Sequence, residues 1–389
     1  MLPRDRRPWS AGLLAGLLVG GLAAPAVQAE GWTLRLRAQA GEEYDSNAQR
    51  VQRVTGATGS EDGAETPGDF LTRLLLQAAA GYTGPELDFH ADYACGAKLF
   101  YRETSEHLVA NQLELSLLHR PQPTRQIGLR VGLRDATQAT HGRDYLLGHL
   151  DAVGRLRLLA PLVLEVSAGG RGFYFKPDDD GEREPGAPRF SHAGPSAGLS
   201  LQASLGEGWS AWLGYAFDVR FFDDLARVAS PGGEGTLPGS RDRQDARHAL
   251  GAHVRYRSTW WDERQLIAQL GYTFTANGSN SLGSTARWHK LEAVVSLELP
   301  AELTLHLMGS VQLTDFPDGL YLDQSSYQPD ADENENVFVS RLAWRFWESL
   351  QLVAQVAVYR NTFAVEDAEQ PAFARETYQL GLAWDWSAW

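Results

Sequence analysis

Arg255 and Arg257 stand two residues apart, as do Arg35 and Arg37, and Arg155 and Arg157. Arg130 and Arg134, and Arg341 and Arg345, are separated by four, and Arg73 adds a single member. In an extended chain successive side chains alternate between faces. Spacings of two and four therefore put each pair on one face, roughly 7 or 13 Å apart along the strand. Guanidiniums held in rows can bind carboxylates, phosphates or sugar hydroxyls through many weak contacts. They supply no nucleophile.

Groups for covalent chemistry are sparse. Ser191 and His192 adjoin, but no acid lies within sequence reach and no nucleophile elbow is present. Cys95 is the only cysteine, so it forms no internal disulfide, and neither paired cysteines nor closely spaced histidines suggest zinc. The run PDADENEN (329–336) lacks the spaced ligands and central glycine of a calcium loop and reads as a solvated acidic loop. The expectation is a binding or conducting protein rather than an enzyme, without metal or cofactor.

The elements that would hold the arginines have a period of two. Trp32, Leu34, Leu36, Ala38 and Ala40 alternate with Thr33, Arg35, Arg37 and Gln39; Ile127, Leu129, Val131 and Leu133 alternate with Gly128, Arg130, Gly132 and Arg134. A soluble sandwich would have to bury those arginines. A membrane barrel inverts the geometry, with apolar residues on lipid and polar ones in the lumen. Thirty-nine glycines and 40 aromatics (12 Trp, 13 Tyr, 15 Phe) suit such a wall.

Connections alternate between tight and long. Short links fall at 82–86, 120–126, 159–162, 205–209, 258–263, 299–302 and 346–350; long polar ones fall near 41–67, 102–107, 135–144, 176–189, 224–243, 277–285, 315–335 and 362–375. These join sixteen strands, with eighteen as the alternative, into an all-β, antiparallel up-and-down barrel whose two ends share the short-turn, periplasmic side. Before it, Arg4, Arg6 and Arg7 precede a short apolar run ending in VQAE. That pattern predicts a secretory signal over 1–29, cleaved after Ala29, and a barrel over 30–389.

The chain closes on QLGLAWDWSAW. Gln379, Gly381, Trp384 and Trp386 resemble the C-terminal signal recognised by the outer-membrane barrel assembly machinery, with Trp389 as an added terminal aromatic. Tyr44, Asp45, Ser46 and Asn47 form a YDSN element after the first strand, which resembles the opening of exopolysaccharide-export outer-membrane barrels. The same residues also suit an Asx turn at a strand end. Surface-lipoprotein assembly barrels carry a similar element, usually behind a helical repeat domain.

Inward-phase bases outnumber inward-phase acids, although the whole chain has a net charge of −14. The acidic surplus falls in the loops, which disfavours nucleic acid as a partner. The wall also carries glutamines suited to sugar hydroxyls, with bracing between lumen arginines and carboxylates expected for most charges. The expected function is an outer-membrane conduit for a surface polysaccharide. The alternatives are a porin for small, weakly anionic solutes and a lipoprotein assembly or anchoring barrel. Expected partners are outer-membrane lipid and lipopolysaccharide, the assembly machinery and a periplasmic polysaccharide-export protein. Any constriction is expected from loops 224–243 or 315–335.

Overall fold

The computed structural model describes residues 31–48, 53–55, 68–139, 144–175, 191–230, 236–260, 263–315, 317, 336–362 and 370–388. The expected signal segment and Trp389 lie outside these residues, as does nearly all of the 315–335 loop. The strands are β1 (Gly31–Asp45), β2 (Arg53–Thr55), β3 (Asp69–Thr83), β4 (Leu87–Phe100), β5 (Leu108–Gln122) and β6 (Arg125–Gln138). They continue as β7 (Tyr145–Leu159), β8 (Leu162–Phe175), β9 (His192–Gly206), β10 (Trp209–Ala229), β11 (Thr236–Thr259) and β12 (Gln265–Ser279). The last are β13 (Ala286–Leu299), β14 (Leu303–Asp315), β15 (Asn336–Arg345), β16 (Leu350–Thr362) and β17 (Gln370–Ala388).

All but β2 form the wall, each strand antiparallel to its neighbours in sequence, and β1 closes the ring by pairing with both β3 and β17. The wall is therefore the expected sixteen-stranded barrel. Beyond it, β2 adds three residues to the start of β17. Closure follows from the environment, since a bilayer offers an open sheet edge no hydrogen-bond partners.

Alternation sorts the two faces. Leu76, Leu129, Leu150, Leu213, Leu270 and Leu382 are about half exposed on the outside, while the intervening polar residues line the interior. So wide an apolar belt would be untenable in water and is what a bilayer requires, so the barrel is transmembrane. Trp32 packs with Tyr82 (5.1 Å between ring centroids) and Trp209 with Tyr256 (4.6 Å), forming part of an aromatic girdle at the short-turn end.

Several expected loop limits need correction. β10 and β11 run through most of 224–243 and leave only 230–235 between them, paired as far as Ala229↔Thr236 with two register shifts. Turn-forming residues such as Pro238 read as loop, yet Pro238 pairs with Arg227 beyond the wall, where a weaker ladder tolerates it. The first long link likewise starts after Asp45 rather than at 41, and β17 begins at Gln370 rather than after 375.

Candidate functional site

The lumen is the candidate site, and its charged residues fall into three levels. At the short-turn mouth Arg35, Arg157, Arg257 and Arg345 project inward from β1, β7, β11 and β15, and all four are exposed. Among the described residues Arg35, Arg157 and Arg345 pair with no carboxylate, and Arg257 donates to the Gln265 amide oxygen at 3.2 Å. Strand alternation puts them inside the barrel, and their position in the last turns of the ladder puts them at its rim.

In the middle of the wall the guanidiniums meet acids. Glu165 accepts from Arg155 at 2.6 Å and from Arg130 at 3.3 Å. Arg37 Nε lies 3.4 Å from Asp385, whose other oxygen accepts from Gln351 at 2.8 Å. Arg341 donates to the neutral Gln39 at 3.2 Å, and it stands in register with Gln355, which in turn faces Gln379. Arg134 lies 5.8 Å over the Tyr145 ring. Arg255 occupies the same β11 face as Arg257, two residues further in. The structure thus collects the eleven arginines in one lumen but neutralises several of them.

Trp212 was not evident as a site residue from the sequence. It points into the lumen and lies against the glycine pair Gly214–Gly251, where an added Cβ would come within 2.2 Å and 2.9 Å of its ring atoms. His253 meets the indole edge at 5.0 Å. The signal was available as a tryptophan in polar phase with glycines at i+2 and across the strand, but the cross-strand partner needs the register.

The long-loop end is held by buried polar nodes. Asp45 accepts from Arg375 Nε with both oxygens at 2.9 Å, and a further guanidinium nitrogen completes the pair. Glu43 beside it takes Arg73 and Lys98, each at 3.0 Å. Ser46 and Glu376 exchange hydrogen bonds: the Ser46 N–H donates to the Glu376 carbonyl at 2.9 Å and its hydroxyl accepts from the Glu376 N–H at 2.8 Å. Asn47 donates to the Ala374 carbonyl, and its own N–H closes an Asx turn on Asp45. Tyr44 alone of the YDSN element faces outward, against Phe70. The element therefore ties β1 to β17. A second node surrounds Asp245, which takes Arg243, Asn277 and Ser279 at 2.7, 3.2 and 2.6 Å.

The C-terminal residues complete the seam. Twelve residue pairs join β1 to β17, from Leu34↔Ala388 to Asp45↔Thr377. Trp384 and Trp386 face outward, Gln379 is buried inward, and Gly381 sits opposite Gly41. A Cβ on Gly381 would lie 2.5 Å from the Ala40 carbonyl oxygen, so the two backbones meet there only because both residues are glycine.

No protein-family model matches the sequence, and no curated protein does. Among solved structures, a mutant of the TodX monoaromatic hydrocarbon channel aligns at TM-score 0.41 and 9% identity, covering 92% of this chain and 90% of that one. A variant of the Rhodopseudomonas blastica porin aligns at TM-score 0.37 and 11% identity, covering 92% of this chain and 100% of that one. Likenesses this distant add nothing to what the closed hydrogen-bonded ring already establishes.

Proposed function

We propose that this chain is an outer-membrane channel, and that it conducts an anionic, hydroxyl-rich polymer, a surface polysaccharide, from the periplasm outwards. The observation that carries the reading is the set of exposed arginines Arg35, Arg157, Arg257 and Arg345 at the short-turn mouth. In outer-membrane barrels the short turns are periplasmic, so these groups would meet a polymer arriving from synthesis. They share the mouth with the exposed Glu298, and a surplus of positive charge there would collect anions and raise their local concentration.

Further in, arginines paired with Glu165 and Asp385 leave weaker fields, which suits a chain that must slide rather than bind. The Trp212 ring, lying along the wall, would offer its face to sugar rings, and the half-buried Gln351 would offer its amide to hydroxyls. The resemblance of Tyr44-Asp45-Ser46-Asn47 to exopolysaccharide-export barrels points the same way. No catalytic role is proposed for any residue. A periplasmic export protein would dock at the arginine mouth.

Proteoliposomes loaded with carboxylated oligosaccharides of increasing length test the proposal. Release of chains well beyond the size of a disaccharide, faster for the carboxylated than for a neutral series, is the expected result. Release that stops at small sugars would instead mean a porin for small solutes, and no release would mean a closed or anchoring barrel.

A further inference from the structure

Two neighbouring hairpins repeat one outward-facing arrangement. Residues 214–217 on β10 and 271–274 on β12 both read Gly-Tyr-x-Phe, and the strand after each sets His248 opposite Phe217 and His289 opposite Phe274. The Tyr215 hydroxyl is 2.7 Å from His248 Nδ1, and the Tyr272 hydroxyl is 2.7 Å from His289 Nδ1. The two phenylalanine rings sit 4.8 and 4.9 Å from their imidazoles. Both tyrosines and both histidines are exposed on the outer face. Arg287, on the same face, reaches Asp315 at 3.7 Å.

Each Tyr–His bond uses one proton and leaves another. If the phenol donates to Nδ1, the neutral imidazole keeps Nε2–H; if Nδ1–H donates, the phenol keeps its proton. Either tautomer leaves one donor per pair with no partner among the described residues. On the lipid face such a donor is costly unless lipid satisfies it. Phe217 lies eight residues beyond the girdle residue Trp209 on β10. At ~3.3 Å per residue on strands tilted by ~40°, that is roughly 20 Å up the wall, where acyl chains give way to headgroups.

Three other outer-wall tyrosines end on acceptors and leave no donor over. Tyr101 donates to Glu42 at 2.6 Å, Tyr378 to Glu376 at 2.9 Å and Tyr93 to Asn111 at 2.9 Å. The β10–β13 arc is chemically distinct from them.

We infer that the Tyr215–His248 and Tyr272–His289 pairs form a binding site for the phosphorylated headgroup of an outer-leaflet lipid. Each pair donates to a phosphate oxygen, the guanidinium of Arg287 stands beside them in a loose pair with Asp315, and the acyl chains lie along Leu250, Leu270 and Leu291. The site rests on the barrel's membrane placement and is independent of what the lumen conducts.

The test titrates the full-length protein in detergent micelles with diphosphorylated lipid A, with the same lipid stripped of phosphate, and with inorganic phosphate, counting bound lipid by native mass spectrometry. The parent is expected to hold the phosphorylated lipid in preference to the stripped one. His248→Phe with His289→Phe should bind it about tenfold more weakly, the worth of a charge-assisted hydrogen bond. His248→Gln with His289→Gln, which keeps an N–H donor, should restore binding. Parent binding that ignores the phosphate, or equal binding by the double phenylalanine variant, would overturn the site. Tight binding of inorganic phosphate without lipid preference would also overturn it, by assigning the pairs to a soluble anion. The parent comparison decides alone if a variant fails to insert.

Discussion

Asp45 and Arg375 form an almost fully enclosed ion pair, with side chains 0% and 1% exposed. Enclosure makes the pair asymmetric in its effects: removing one partner strands the other charge, whereas removing both can be close to neutral. Arg375→Met is therefore expected to destabilise the barrel by about 3–5 kcal/mol, and Asp45→Asn added to it should recover most of that loss. Urea unfolding in lipid vesicles measures both. Equal losses for the single and double variants would mean that Asp45 has a role other than answering Arg375. The pair was not legible in the sequence, because its members lie 330 residues apart and Arg375 fell in a segment expected to be loop. Asp45-Ser46-Asn47 was legible as an Asx turn; its bonds to Glu376 and Ala374 were not, since only closure of the ring brings them together.

At the scale of the strand, period-two alternation was readable because one face must meet lipid and the other water, a constraint that acts on every second residue. Strand ends were less readable, because beyond the bilayer that constraint lapses while pairing continues, as in the β10–β11 extension. The seam is the element where small changes should matter most. Gly381→Ala places a methyl 2.5 Å from the Ala40 carbonyl and should lower the fraction of heat-modifiable, folded protein, whereas Gly172→Ala, with open space around it, should leave that fraction unchanged. Deleting WDWSAW removes Trp384 to Ala388, which pair with Leu34 to Ala38, and should abolish insertion. Normal membrane levels of that truncation would mean that the barrel closes without its last turns.

For the whole molecule, the sequence made plain that arginines line the lumen but not which of them stay uncompensated. That depends on cross-strand register: Arg155 and Arg130 converge on Glu165, while Arg157, two residues from Arg155, has no such partner. The account therefore locates selectivity at the short-turn mouth rather than along the whole wall. The most direct test is the reversal potential of single channels in a planar bilayer under a salt gradient, for the parent and for a variant carrying Arg35→Glu, Arg157→Glu, Arg257→Glu and Arg345→Glu. Water-filled lumens favour ions opposite in sign to their fixed charge. The account predicts anion selectivity in the parent and its reversal in the variant, with insertion intact because all four side chains face water. Cation selectivity in the parent, or a reversal potential that the four substitutions leave unmoved, would contradict it.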